Sequence, residues 1–141
     1  MILLDTNVVS EPMRQRPERR VQDWLDTQAV ETLYLSTVSL SELLLGTESL
    51  PAGRRRERLA PSLGQQIESL FEDRIVPFDV AAAKAYAKVV VLARRNGYAI
   101  SVADGQIAAI AAARNLTIAS RDEAPFRAAG LAVINPWTAA L

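Results

Sequence analysis

The stretch MILLDTN, residues 1–7, decides how the rest of the chain is interpreted. The apolar run Ile2–Leu4 predicts a short strand buried on both faces, because no polar residue alternates with the apolar ones. Asp5 directly follows this strand, and a carboxylate at the end of a buried strand needs a partner to offset its desolvation. Thr6 and Asn7 place polar side chains beside it. We therefore expect the strand to lead Asp5 into a functional site.

Beyond this stretch, short apolar runs alternate with longer helical patterns. Further strands are predicted at residues 33–35, 75–78, 116–119 and 131–134. Helices are predicted at residues 17–28, 39–48, about 54–73 with a break or restart at Pro61, 79–97, 101–115 and in a short segment ending at Gly130. This alternation predicts an α/β fold with a mostly parallel sheet and helices on both faces. The length of 141 residues suits a single domain, 1–141.

Composition removes several classes of function. The 16 Lys+Arg balance the 16 Asp+Glu, and the chain has neither His nor Cys. Imidazole bases and thiolate or imidazole metal sites are therefore excluded, which leaves carboxylates and hard cations as carriers of hydrolytic chemistry. Neither a G-x-G dinucleotide fingerprint nor a Walker A loop is present. We see no basic leader and no long uncharged apolar span, so we expect a cytoplasmic protein without membrane segments.

Acidic residues follow the predicted strands more often than chance suggests. They are Asp5, Glu42, Asp104 and Asp122, each at a strand-to-helix edge. In open α/β sheets the carboxyl ends of strands form the site, so these carboxylates are expected to converge. Converged carboxylates repel one another, and a divalent cation removes that conflict and activates water against a phosphoryl group. The pattern predicts metal-assisted phosphodiester hydrolysis, with Thr6, Asn7 and Ser120 as hydrogen-bonding partners of the acids.

Structural interpretations of the same residues remain open. Ser39 with Glu42, and Ser101 with Asp104, fit helix capping boxes, and Asp122 fits a turn or N-cap. Basic residues have two interpretations as well. The basic residues are Arg54, Arg55, Arg56, Arg58 and Arg121. All of them could contact RNA phosphates. Alternatively, the first four form a solvated helix face, and Arg121 only neutralises Asp122.

The ordered set of motifs resembles the PIN-domain family, most closely VapC-type toxins and their FitB-like branch. The motifs are ILLDTN at residues 2–7, SLSE at 39–42, SVAD at 101–104 and SRD at 120–122, and the resemblance covers nearly the whole chain. Asp5, Glu42 and Asp104 match the three core acids of the family. Asp122 stands where many members have Asn, and Pro125 stands where they have their late Asp.

The resemblance implies a three-layer α/β/α sandwich and RNA cleavage that depends on Mg²⁺ or Mn²⁺. It implies the toxin of a type II toxin–antitoxin pair, and a homodimer. The expected partner is a DNA-binding antitoxin of the VapB or FitA kind, whose C-terminal segment covers the active site. Contact with DNA would then be indirect, through the antitoxin.

Two other functions compete with the nuclease. The first is a non-catalytic PIN-fold module that only binds a DNA-binding antitoxin. The second is a phosphoryl-transfer enzyme with Asp5 as nucleophile; such sites usually carry Asp-x-Asp and a late lysine. Here Asn7 stands at the second position, and Lys88 is the last lysine of the chain.

Overall fold

Within the described residues, five strands form one all-parallel sheet. The structure is a computed structural model that describes residues 1–141, apart from the side chain of Ala60. In chain order the strands are β1 (Ile2–Leu4), β2 (Leu33–Ser36), β3 (Ile75–Val76), β4 (Thr117–Ala119) and β5 (Val133–Ile134). They lie side by side in the order β3-β2-β1-β4-β5. The predicted α/β fold with a parallel sheet is confirmed.

Helices connect the strands and cover both faces of the sheet. In chain order they are α1 (Thr6–Ser10), α2 (Arg19–Asp26), α3 (Thr37–Glu48), α4 (Arg54–Phe71), α5 (Val80–Arg95), α6 (Val102–Arg114) and α7 (Glu123–Ala128). The described helices include none that is long and apolar enough to cross a membrane. The predicted cap of α5 is confirmed, since the Asp79 carboxylate accepts a hydrogen bond from the Ala82 N–H at 2.9 Å.

The predicted break at Pro61 is wrong, because α4 runs through this residue without interruption. A proline inside a helix removes one backbone hydrogen bond. The loss falls on the exposed first half of the helix, where the freed carbonyl is accessible to solvent. The second half is anchored by Ile67 and Phe71, both buried in the core. Packing of that half therefore outweighs the local penalty.

The strand register sorts the core into two layers. Leu3 of β1 pairs with Ile118 of β4, and both pack against α5, α6 and Phe126 of α7. The next pair, Leu4 and Ala119, faces the other side, which α1 to α4 cover. Successive side chains of a strand point to opposite faces, so each strand contributes to both layers. The result is the three-layer α/β/α arrangement that the resemblance implied.

The strand order creates a crevice between β1 and β4. The chain leaves β1 into α1 on one face of the sheet, and leaves β4 toward α7 on the other face. Connections that diverge in this way open a crevice at the carboxyl ends of the two strands, and ligands of α/β proteins bind there. Asp5 and Ser120 follow these two strands directly.

Candidate active site

Asp5 is the buried acid of the crevice. Its side chain is only 7% exposed, and both of its carboxylate oxygens are hydrogen-bonded. Oδ1 accepts from the Thr6 N–H at 2.8 Å, and Oδ2 accepts from the Ser120 hydroxyl at 2.7 Å. Burial, together with the charges of Asp104 and Glu42, nevertheless raises the pKa of Asp5 from 3.8 to about 6, against the lowering effect of these two hydrogen bonds. Asp5 is thus an acid whose charged form needs a positive partner.

Ser120 links the ends of β1 and β4. Its buried hydroxyl donates to Asp5 and accepts from the Asp122 N–H at 3.0 Å and from Asn7 Nδ2 at 3.5 Å. The carboxamide oxygen of Asn7 in turn accepts from the Arg121 N–H at 3.3 Å. These contacts hold the β4–α7 loop against the start of α1. The predicted partners Asn7 and Ser120 therefore lie next to Asp5 and Asp122.

Glu42 enters the site from α3, and its surroundings correct the predicted capping box. The cap of α3 is Ser36, whose hydroxyl accepts from the Ser39 N–H at 2.9 Å. Since the helix begins at Thr37, Glu42 lies beyond its first turn and caps nothing. The Glu42 side chain instead accepts a hydrogen bond from the Thr6 hydroxyl at 2.9 Å. Thr6 therefore contacts two of the acids, Asp5 through its N–H and Glu42 through its hydroxyl.

Asp104 lies in the first turn of α6, where the predicted cap is confirmed. The Ser101 hydroxyl accepts from the Asp104 N–H at 3.1 Å. Partial burial raises the pKa of the Asp104 carboxyl, and the charges of Asp122 and Glu42 raise it further, while Ser101 lowers it. Gly105 keeps α6 close to α5, because a Cβ at this position would lie 2.9 Å from the Tyr86 ring.

All four predicted acids line one cleft of about 330 Å³. Its lining is Asp5, Thr6, Asn7, Ser10, Glu42, Asp104 and Asp122. No three acidic side chains among the described residues close around a single point. Like charges drive such groups apart, so an open arrangement is expected of carboxylates that face one another. Every donor in the lining is an oxygen or a carboxamide, which is the ligand chemistry of Mg²⁺ and Mn²⁺.

The arginines divide into two groups. Arg54, Arg55 and Arg58 line a surface depression of their own with Glu57, at the start of α4. Neither they nor Arg56 line the acidic cleft. Arg121 does not line the cleft either, but it lies between Ser120 and Asp122 in the chain, and its guanidinium carbon is 5.2 Å from the centre of the Trp137 ring. The structure therefore separates the arginine run from the acids and places the backbone of Arg121 next to the cleft residues Asn7 and Asp122.

The rim beside Asp122 contains residues that the sequence did not assign to the site. Asn135 Nδ2 donates to Glu123 Oε2 at 3.0 Å and to the Arg121 carbonyl at 3.4 Å. Its carboxamide oxygen accepts from the Trp137 N–H at 2.9 Å. The hydrogen bonds from Asn135 and Arg127 lower the pKa of Glu123. Its position in the sequence could have indicated Asn135 as a site residue, because it directly follows the last strand, at the sheet edge where the acids lie.

Comparison with known proteins identifies the class to which this fold and cleft belong. The sequence pattern of the PIN domain matches residues 2–131, and the chain belongs to the PIN domain family.

Close relatives narrow the position within that family. The chain is 47% identical over 137 residues to Toxin FitB of Neisseria gonorrhoeae, covering 97% of this chain and 99% of that protein. It is 44% identical over 137 residues to VapC ribonuclease Y4jK of Sinorhizobium fredii, covering 97% and 98%. The solved structure of FitAB bound to an IR36 DNA fragment superposes with a TM-score of 0.95 at 44% identity, covering 100% of this chain and 99% of the matched chain. The resemblance to VapC and FitB proteins is confirmed.

Proposed function

We propose that this protein is an endoribonuclease toxin that hydrolyses RNA phosphodiester bonds with Mg²⁺ or Mn²⁺ as cofactor. We assign catalysis and metal binding to Asp5, Glu42, Asp104 and Asp122. The observation that carries the proposal is the convergence of these carboxylates from separate elements into one cleft. The chain offers neither His nor Cys for another hydrolytic mechanism. The close relationship to a VapC ribonuclease supports RNA as the substrate.

The donor chemistry fits a hard divalent cation. The cleft offers oxygen ligands, and burial together with like charges raises the pKa of Asp5 and Asp104. A nearby cation favours the charged form of such groups and so relieves both costs. When bound, Mg²⁺ or Mn²⁺ supplies an activated water and neutralises charge on the phosphoryl group.

Neighbouring side chains orient the acids. The Ser120 hydroxyl and the Thr6 N–H hold the two oxygens of Asp5, which leaves its remaining lone pairs for the cleft. The Thr6 hydroxyl holds Glu42 in the same way. Asn7 does not contact an acid directly but supports Ser120 and the Arg121 backbone. Residues of this kind tune and orient metal ligands.

We further propose that the protein is the toxin of a type II toxin–antitoxin pair and acts in the cytoplasm as a homodimer. Its partner would be a DNA-binding antitoxin of the VapB or FitA kind, with a C-terminal segment that covers the cleft. A cleft lined by four acids attracts a basic segment. The match to FitAB bound to DNA supports indirect DNA contact. DNA binding should therefore require the antitoxin and be absent from the isolated chain.

Cleavage of a mixed RNA pool by purified, antitoxin-free protein tests the nuclease proposal. The reactions contain Mg²⁺, Mn²⁺ or EDTA and are run beside Asp5→Asn. Glu31→Gln is the matched control, because Glu31 is an exposed acid outside the cleft. We expect cleavage by the wild type and Glu31→Gln with either metal. We expect none in EDTA and none from Asp5→Asn.

The same experiment identifies the competing function. Protein that binds its antitoxin but cleaves no RNA under any condition would favour the non-catalytic module. Expression in cells then decides, because Asp5→Asn should leave growth unaffected if cleavage is the toxic activity. Growth arrest by Asp5→Asn equal to that by the wild type would remove the cleft as the toxic site.

A further inference from the structure

Arg121 and Trp137 form a stacked pair, here called the cationic arm, and the backbone of Arg121 adjoins the acidic cleft. Arg121 is the residue between Ser120, which holds Asp5, and Asp122, which lines the cleft. Its guanidinium lies over the Trp137 ring at 5.2 Å. A guanidinium that stacks on an aromatic face keeps the N–H groups of its edge free for a second partner. The pairing thus orients the charge without consuming its hydrogen bonds.

Hydrogen bonds on both sides fix the backbone of this arm. The Arg121 N–H donates to Asn7, whose side chain lines the cleft. The Arg121 carbonyl accepts from Asn135, which also accepts from the Trp137 N–H. The Asn135 side chain therefore fixes the backbone of both stacked residues, Arg121 and Trp137. Such a tie between two loops is what a precisely placed charge requires.

The nearby acids leave the Arg121 charge available. Glu123, the acid closest in sequence after Asp122, is bound by Arg127 at 2.7 Å and by Asn135. The ion pairs found among the described residues involve Arg14, Arg19, Arg114 and Arg127, and Arg121 is in none of them. The lining of the cleft itself contains acids and neutral residues alone. A bound metal ion would offset the charge of the reacting phosphate, but the lining offers no cationic side chain to the neighbouring phosphates of the strand.

We propose that Arg121, oriented by Trp137, binds a backbone phosphate of single-stranded RNA beside the acidic cleft. The inference rests on the proposed function for the choice of RNA as ligand. Arginine binds phosphate oxygens through paired N–H groups, which matches an edge left free by ring stacking. Arg121 is a positioning residue in this role: it holds the strand while the acids act on the neighbouring bond. The run at residues 54–58 lies in a different depression and is not required.

RNA binding without turnover tests the arm directly. The probe is a short fluorescein-labelled single-stranded RNA of randomised sequence, titrated with Asp5→Asn protein in Mg²⁺ so that the RNA stays intact. Arg121→Ala in this background should weaken binding about 10-fold and reduce the slope of log affinity against log salt by about 0.7, the value for one phosphate contact. Arg95→Ala is the matched control and should change neither, because Arg95 is an exposed arginine at the end of α5 and does not line the cleft.

Trp137 variants separate orientation from charge. Trp137→Phe should retain most of the affinity, whereas Trp137→Ala should lower it about threefold, in line with the loss of one cation–π contact. Thermal unfolding of each variant checks that the fold is retained, since Trp137 is partly buried. In the active protein, Arg121→Ala should raise KM for RNA cleavage while kcat changes little.

Equal affinity and equal salt slope in Arg121→Ala and Arg95→Ala would overturn the proposal. So would failure of the Asp5→Asn protein to bind the RNA at all, or loss of antitoxin binding without loss of RNA binding in Arg121→Ala. These failures are distinct from failure of the nuclease proposal. Wild-type cleavage that depends on metal and on Asp5 would still stand if Arg121 were irrelevant, and Arg121-dependent binding would still stand if no RNA were cleaved.

Discussion

The corner around Asp5 and the arginine run at residues 54–58 are both conspicuous in the sequence, and the fold treats them in opposite ways. Asp5 is buried, and its partner Ser120 lies 115 positions away in the chain. The arginines stay on the surface of α4, in a depression lined only by residues of the same run. The position of Asp5 relative to its partners depends on the sheet topology, whereas the arginine run is brought together by local helix formation.

The comparison shows that burial determines how strongly a charged residue interacts with its neighbours. Water screens the exposed arginines, so their interactions are weak and depend on salt. At Asp5 burial has removed most of that water, and the pKa rises to about 6 as a result. Electrostatic effects of a substitution should therefore be large at the cleft and small at the arginine run.

The largest effect is expected at Asp104. Asp104→Asn should reduce RNA cleavage at least about 100-fold and abolish growth arrest, since it removes a proposed metal ligand and not merely a ligand's neighbour. The cap of α6 is retained, because it uses the Asp104 N–H and the Ser101 hydroxyl. Asp73→Asn, at an exposed acid outside the cleft, is the control. Toxicity of Asp104→Asn comparable to that of Asp73→Asn would contradict the assignment.

The stability of the metal-free protein should reveal the strain at Asp5. Between pH 3.8 and about 6 the folded protein retains a proton on Asp5 that the unfolded chain has released, so stability falls as pH rises through this window. The full cost, on the order of 2–3 kcal/mol, is present at neutral pH. Asp5→Asn should flatten this dependence and raise the free energy of unfolding near pH 7 by about 1–2 kcal/mol, less than the full cost because the amide loses one of the two accepted hydrogen bonds.

Denaturant unfolding in EDTA at a series of pH values measures this difference. The comparison is between wild type and Asp5→Asn, with Glu31→Gln as a control for an exposed acid. Parallel stability curves for wild type and Asp5→Asn across the window would mean that Asp5 is not strained in the folded protein.

The strands and the acids at their ends were predictable because they depend on local sequence patterns. Apolar runs located the strands. Because α/β sites form at the carboxyl ends of strands, the acids that follow β1 and β4 in the sequence were predicted to meet in one site. The start of α3 was not predictable in the same way. Ser36 and Ser39 are both plausible caps by residue type, and the choice fell to Ser36 because β2 turns directly into the helix there.

The rim of the cleft was beyond sequence reasoning for a different reason. Asn135 contacts Glu123 and Arg121, which lie 12 and 14 positions earlier. That proximity depends on β5 pairing with β4 in one particular register, Ile118 with Val133 and Ala119 with Ile134. Local pattern predicts both strands but not the register between them. The partners of Asn135 therefore emerge only from the assembled sheet.

A smaller effect is expected from Ser120→Ala. The variant removes the hydrogen bond that most lowers the pKa of Asp5, so this pKa should rise further. Cleavage should fall about 10-fold, the lower end of what loss of a ligand's supporting partner costs. The acid limb of the pH–rate profile should move to higher pH. Ser62→Ala, on α4, is the control, and an unchanged rate and profile in Ser120→Ala would show that Asp5 does not depend on this contact.

The smallest effect is expected at the arginine run itself. The combined variant Arg54→Ala, Arg55→Ala and Arg58→Ala should change cleavage less than about twofold at physiological salt, because exposed charges outside the cleft are screened. The measurement is kcat/KM for RNA cleavage, beside the single variant Arg121→Ala. A larger loss from the triple variant than from Arg121→Ala would reverse the comparison. It would mean that RNA reaches the acids across α4, and that a locally formed charge cluster contributes more to binding than the charge that the assembled sheet places at the cleft.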